Sequence, residues 1–349
     1  MGGDEGEGGG ILMLKAAINM LVNKVSLSES EMAGCMNEIM EGRATDAQIG
    51  AFLTGLRVKG ETVEEITGAA KIMREKAITI KAPEGVLDTC GTGGDMSHTF
   101  NISTTTSIVV SAGGVPVAKH GNRSVSSQCG SADVLEALGI IIDLPPEKVE
   151  ECLFETGFGF LFAPLFHPAM KYAIGPRREM GIRTIFNILG PLTNPAGAKR
   201  QLLGVFADHL TETLAMVLGN LGAVDAMVIH GRDGLDEISI SDETKVSRFS
   251  DGKTENFFIA PEDFGIRRME IDSIHGGNKE ENASITLAVL HGERGPRRDI
   301  VLMNSSAAIV VSGKAGDFRT AFDMAAEGID SGKALKKLEE VRRVSNSLQ

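Results

Sequence analysis

From Pro83 onward, short apolar runs alternate with helical stretches, and this alternation limits what the chain can fold into more than any other feature. The runs read "VLDT", "VPVAK", "FGFLF", "LLGVFA", "DAMVIHG" and "DIVLMN", with helical segments such as 211–221 between them. Strands apolar on both faces need cover on both faces. The pattern therefore predicts parallel strands with crossover helices in an α/β sheet. "VSRFSDGKTENFFIA" departs from it: Asp251-Gly252 between two β-prone runs is a two-residue hairpin signal, which predicts an antiparallel edge.

Residues 11–76 have a different texture, helical throughout. Ile11, Leu14, Ile18, Leu21, Val22 and Val25 fall on one face of a first helix. Three hydroxyl caps follow, each with Glu or Gln three residues later: Ser28 with Glu31, Thr45 with Gln48, Thr62 with Glu65. Four helices in about seventy residues make a small fold that needs something else to pack on. The segment 167–195 is rich in proline and arginine and is divided by Gly175-Pro176, Gly190-Pro191 and Asn194-Pro195. It is either a linker or a return to the N-terminal helices with hinges. The expected division is a disordered tail at 1–10, a small all-helical domain at 11–82 completed by helices at 167–196, and a large α/β domain with a mainly parallel central sheet at 83–166 and 197–349.

The charge is −12, from 35 Lys plus Arg against 47 Asp plus Glu, which argues against nucleic-acid binding. Any anionic ligand must be met locally. No apolar run is long enough to span a bilayer. Cys35, Cys90, Cys129 and Cys152 show no C-x-x-C spacing and, with no secretory leader, read as reduced thiols of a cytoplasmic protein. The seven histidines have no zinc spacing; most read as structural, with His120 the exception because it lies in a donor-rich loop.

Two strand-to-helix loops carry the strongest chemical signals. In "DTCGTGGDMSHTFNISTTT", Gly91, Gly93 and Gly94 let consecutive N–H groups face one point, and a helix beginning at 101–104 offers its positive end. That is either a phosphate or pyrophosphate site or an ordinary glycine-rich turn. It matches neither nucleotide-binding glycine motif, so a nucleoside triphosphatase or dinucleotide fold is disfavoured. In "KHGNRSVSSQCGSADVLEALG", Lys119 adds a point charge, Asn122, Ser124, Ser126 and Ser127 add neutral donors, and Gly121 and Gly130 permit close approach. Alone this reads equally as a solvated loop, but adjacent loops at the carboxyl ends of parallel strands are where open sheets bind ligands.

Asp236 and Glu237 in "HGRDGLDEISI" are neighbouring hard oxygen ligands suited to magnesium, unless they are surface carboxylates. Arg177, Arg178 and Arg183 either select an acidic acceptor by two-point contact or form a solvated face. No nucleophile motif is present, so no covalent enzyme intermediate is expected.

"GTGGD", "NIST", "KHGNRSVSSQCGSADVLEALG", "FLFAPLFHPAMKYAIGPRREMGIRTIFNILGPLTNPA" and "GLDE", in this order over nearly the whole chain from Ile11, resemble the anthranilate phosphoribosyltransferases of tryptophan biosynthesis. The resemblance implies a small helical and a large α/β domain, a homodimer formed through the small domains, and transfer of phosphoribosyl from phosphoribosyl pyrophosphate (PRPP) to anthranilate with Mg2+. It implies that Gly91, Gly94, Asp95, Thr99, Asn101, Ser103, Thr104, Lys119 and Ser131 bind PRPP, and that Gly91, His120, Asn122 and Arg177 border anthranilate, Arg177 meeting its carboxylate. Ser103, Asp236 and Glu237 take the metal role. One departure is Met96-Ser97-His98, where many members are glycine-rich. The rivals are a pyrimidine nucleoside phosphorylase of the same architecture, in which a magnesium pair has no task, and a non-catalytic binding relative, against which the intact Asp95, Lys119, Asp236 and Glu237 argue.

Overall fold

The computed structural model describes residues 9–95, 97–124 and 128–349. The chain divides into two compact units, one of residues 1–78 with 167–193, the other of 79–166 with 194–349. Of the expected tail, residues 1–8 lie outside the described residues, while Gly9 and Gly10 already belong to a helix.

The first unit is helical. Its N-terminal part holds α1 (Gly9–Val22), α2 (Glu29–Met40), α3 (Asp46–Lys59) and α4 (Val63–Lys76). All three capping boxes form as the sequence predicts. In the first, the Glu31 N–H donates to Ser28 Oγ at 3.3 Å and the Ser28 N–H donates to Glu31 Oε2 at 2.8 Å. Two orphan donors are thereby satisfied at each helix start. The apolar face of α1 is narrower than expected. Leu14, Ala17 and Leu21 are buried, but Val22 is 71% exposed, and Val25 lies beyond the helix end, where Lys24 turns the chain at φ 59°. α2 and α4 cross closely at Gly68, where a Cβ would sit 2.3 Å from the Glu29 carbonyl.

The helix Lys171–Met180 packs on α2 and α3. Gly175-Pro176 does not divide it, contrary to the sequence reading: Pro176 lies inside the helix and is buried. Its ring fixes a φ compatible with a helix, and burial offsets the one ladder bond it cannot donate. His167, also in this unit, is buried and bonded to the Thr193 backbone, and burial holds its imidazole down to about 4 from an ordinary 6.5. The folded state therefore keeps His167 neutral where the unfolded chain protonates it. Stability is full above pH ~6.5 and falls as pH drops toward 4, by up to about 3 kcal/mol. Melting curves at pH 7.5 and pH 5 should show this slope flattened in His167→Gln; an unchanged slope contradicts the assignment.

The second unit is built on one seven-stranded sheet of β1 (Leu87–Gly91), β2 (Val117–Gly121), β3 (Phe158–Phe162), β4 (Arg200–Gly204), β5 (Asp225–Gly231), β6 (Thr244–Ser250) and β7 (Lys253–Ile259). The order is β3-β2-β1-β4-β5-β6-β7. The first five strands run parallel and the last two antiparallel, joined by Asp251 and Gly252 at φ 50° and 75° as the hairpin signal predicts. Successive residues serve opposite faces: Leu87, Val117 and Phe160 enter one buried cluster, Val86, Ala118 and Leu161 another. Both faces are thus covered, which accounts for the unbroken apolar runs.

One predicted strand is a helix. "DIVLMN" lies within Pro296–Ser312, of which residues 300–311 are all buried. A helix buried on every side carries no period that separates it from a buried strand; Pro296 at its first turn was the overlooked sign. Among the described residues no helix is long and apolar enough to cross a membrane. The four cysteines are buried and form no disulfide with one another.

Candidate active site

The site is built where parallel strands of the second unit end, and glycine ends four of the five: Gly91, Gly121, Gly204 and Gly231. Two of these glycines are required by a loop laid across them. A Cβ on Gly91 would lie 2.6 Å from Asp236 Oδ2, and one on Gly204 would lie 1.6 Å from the Asp236 carbonyl oxygen. Gly91 and Gly204 are paired neighbours on β1 and β4, the point where the strand order reverses. The loop after β5 thus rests its carboxylates on the switch point of the sheet.

The loop after β1 meets it. Gly93 and Gly94 adopt φ 64° and 77°, and the Gly93 N–H donates to Asp236 Oδ2 at 2.9 Å. α5 (Ile102–Ala112) begins there, and its Ser103 N–H donates to Glu237 Oε1 at 3.0 Å. The expected anion-receiving ends, a glycine turn and a helix start, each already hold a carboxylate oxygen.

Lys119 in the middle of β2 is 1% exposed, and its Nζ donates to the Thr89 carbonyl at 2.5 Å and to Ser103 Oγ at 3.3 Å. Burial lowers its pKa, opposed by Asp88 and Glu237. Burial raises both Asp236 and Glu237, and repulsion adds to it, from Asp95 on Asp236 and from Asp236 on Glu237. Asp95, Asp236 and Glu237 therefore crowd one another, and the buried Lys119 ammonium lies beside Glu237 and Asp88. Asp95 Oδ2 is buried and has no hydrogen-bond partner among the described residues. This set of hard, under-compensated oxygens fits a divalent cation such as magnesium. Among the described residues no three ligand-type side chains converge on one point, so such an ion would complete its shell with water or ligand oxygens.

The remaining predicted residues lie along the same rim. Asn101 donates from Nδ2 to the Cys129 carbonyl at 3.1 Å and accepts from Asn282 at 3.0 Å, tying the loop after β1 to the loop after β2. Ser131 opens α6 (Ser131–Ala137), and its Oγ donates to the Asn122 carbonyl at 3.2 Å. Asp133 closes that loop by accepting the Ser124 and Gly130 N–H groups at 3.1 and 2.8 Å. His120 is buried, its N–H donating to Asp88 at 3.1 Å. Thr99 pairs with His275 in a single antiparallel bridge. Thr104 is buried, and its hydroxyl has no hydrogen-bond partner among the described residues. Met96, Val125, Ser126 and Ser127 lie outside the described residues.

Residues 83–335 match the model of a glycosyl transferase family α/β domain, and residues 15–77 that of its helical bundle domain. The anthranilate phosphoribosyltransferase of Acetivibrio thermocellus is 56% identical over 96% of this chain and 97% of its own length. The chain belongs to the anthranilate phosphoribosyltransferase family. A crystal structure of the family's enzyme from Thermus thermophilus superposes with a TM-score of 0.90 at 39% identity, covering 95% of this chain and 99% of that one. The Saccharomyces cerevisiae anthranilate phosphoribosyltransferase in complex with PRPP and Mg gives 0.88 at 28% identity, covering 96% and 98%.

Among the predicted residues of this anthranilate phosphoribosyltransferase family member, the three arginines Arg177, Arg178 and Arg183 belong to the first unit, and of them Arg177 carries the expected carboxylate contact. Arg177 is half-buried at the end of Lys171–Met180, with its guanidinium 5.0 Å from the Phe186 ring centroid. Burial lowers its pKa, and it has no carboxylate partner among the described residues. Arg178 is exposed and Arg183 half-buried. Sequence reasoning missed Gly204, Asn282 and Asp233, whose carboxylate accepts from Ser239 Oγ at 2.5 Å and from Ser241 Oγ within the Asp236 loop. The recurrence of glycine at strand ends was the available signal for Gly204; nothing local marks the other two.

Proposed function

We propose that this chain transfers the 5-phosphoribosyl group of PRPP to the amine of anthranilate, giving N-(5-phosphoribosyl)anthranilate and pyrophosphate. The observation that carries this reading is the crowding of Asp95, Asp236 and Glu237 beside Lys119 and the start of α5. A bare polyphosphate would be repelled by these carboxylates, and a magnesium complex of one would not. Ser103, Asp236 and Glu237 would hold the ion. The chemistry it supplies when bound is neutralisation of charge on the leaving pyrophosphate.

The chain's own groups do the rest. Gly91, Gly94, Asp95, Thr99, Asn101, Thr104 and Ser131 orient PRPP through main-chain amides and short polar side chains, with Lys119 as a fixed ammonium. His120, Asn122 and Gly91 border the acceptor, and Arg177 reads its carboxylate with a planar fork. The aromatic amine is already neutral at pH 7, so its lone pair attacks C1 as the C1–pyrophosphate bond breaks, and its surplus proton leaves to solvent. No strong base is required. Mass spectrometry of a mixture with anthranilate, PRPP and Mg2+ should find the N-phosphoribosylated product, with one pyrophosphate released for each; unreacted anthranilate contradicts the reading.

Arg177→Ala should raise the KM for anthranilate about ten- to a hundredfold, the worth of charge-assisted hydrogen bonds, and leave PRPP binding unchanged. Equal weakening of both substrates, or of neither, contradicts its role. We also propose that two copies associate through the first unit, where Met13, Val22, Val58, Tyr172 and Ile174 are exposed. Sedimentation should give twice the chain mass of 37.0 kDa; a single-chain mass contradicts this. Four buried cysteines that form no disulfide with one another support a reducing cytoplasmic setting.

A further inference from the structure

Asn304 is fully buried on the helix Pro296–Ser312, and its amide grips the main chain one residue beyond Glu237. Its Oδ1 accepts from the Ile238 N–H at 3.0 Å, while Nδ2 donates to the Ile238 carbonyl at 3.3 Å and to the Ile300 carbonyl at 2.9 Å. An amide that meets both the N–H and the C=O of one residue fixes that stretch of backbone in position and rotation, because donor and acceptor must both be satisfied at once. Asn304 opens a buried polar run with Ser305 and Ser306 between apolar stretches at 300–303 and 307–311; Ser306 Oγ donates to the Phe318 carbonyl, so within this run the two bonds to the Ile238 backbone come from Asn304. Leucine would fill the same volume and strand two buried main-chain groups. On the other side of the grip, the Glu237 carboxylate is held on Ser103 and the Asp236 carbonyl lies over Gly204.

We propose that Asn304 is a positioning residue for the ion-binding carboxylates, setting where Asp236 and Glu237 present their oxygens without touching substrate or ion itself. This rests on the assignment of those two carboxylates to magnesium. Partners in the outer shell of a metal site act through the orientation of the inner ligands, and their loss weakens metal affinity by about ten- to a hundredfold.

The test compares Asn304→Asp, which keeps the shape but not the two donated bonds, and Asn304→Ser, which removes the grip. The control is Ser305→Ala, on the next buried residue, whose hydroxyl has no hydrogen-bond partner among the described residues. Calorimetric titration with PRPP in Mg2+ should show binding weakened about ten- to a hundredfold in both Asn304 variants and unchanged in the control, while the KM for anthranilate stays within about twofold. Wild-type-like binding by a folded Asn304 variant would overturn the proposal. An equal rise in the anthranilate KM would do so too, as would failure of both variants to fold, since Asn304 would then be purely structural. Failure of the wild type to bind PRPP with Mg2+ would overturn the carboxylate assignment instead.

Discussion

Asp236→Asn combined with Glu237→Gln is expected to lower the rate of anthranilate phosphoribosylation by about a thousandfold while leaving the fold intact, because several kcal/mol of charge stabilisation at the leaving pyrophosphate depends on these oxygens. Both replacements are isosteric and keep an oxygen to accept from the Gly93 and Ser103 N–H groups. They remove two crowded negative charges whose pKa values are raised by burial and repulsion. The ligand-free double variant should therefore melt no lower than the wild type. Loss of function without loss of stability is the signature of groups held against their own electrostatic preference for a ligand. Turnover within tenfold of wild type would remove the metal assignment.

Lys119→Met should damage both properties. The ammonium is the buried cation beside Asp88 and Glu237, and it bonds the Thr89 carbonyl and Ser103 Oγ. Removing one partner of a buried charge cluster leaves the others uncompensated, at a cost of about 3–5 kcal/mol. Activity should also fall by a hundredfold or more, roughly the loss seen when one preorganised charge-stabilising donor is removed. Steady-state rates and thermal melts check both. A variant with wild-type melting and turnover within threefold would show that Lys119 neither supports the carboxylates nor meets the phosphoribosyl group.

What the sequence disclosed followed from how locally each feature is encoded. Ser28, Thr45 and Thr62 marked helix starts because a cap and its Glu or Gln partner lie three residues apart. Asp251-Gly252 marked its hairpin because both residues must adopt positive φ. "DIVLMN" misled because a helix buried on every side loses its period. At the site, Asp236 and Glu237 stood out as adjacent carboxylates. The need for Gly204 arises only when the β5 loop folds across β4. Asn304 and Asn282 join segments far apart in the chain, and no spacing announces such partners.

The most direct test of the account is a calorimetric titration of PRPP into the wild-type protein with and without Mg2+. Saturable binding that weakens at least about tenfold when the ion is withheld is the predicted result, since the carboxylate rim otherwise repels the polyphosphate. No heat in either condition, or equal binding in both, would contradict the claim that the loops after β1, β2 and β5 grip PRPP through a shared divalent ion.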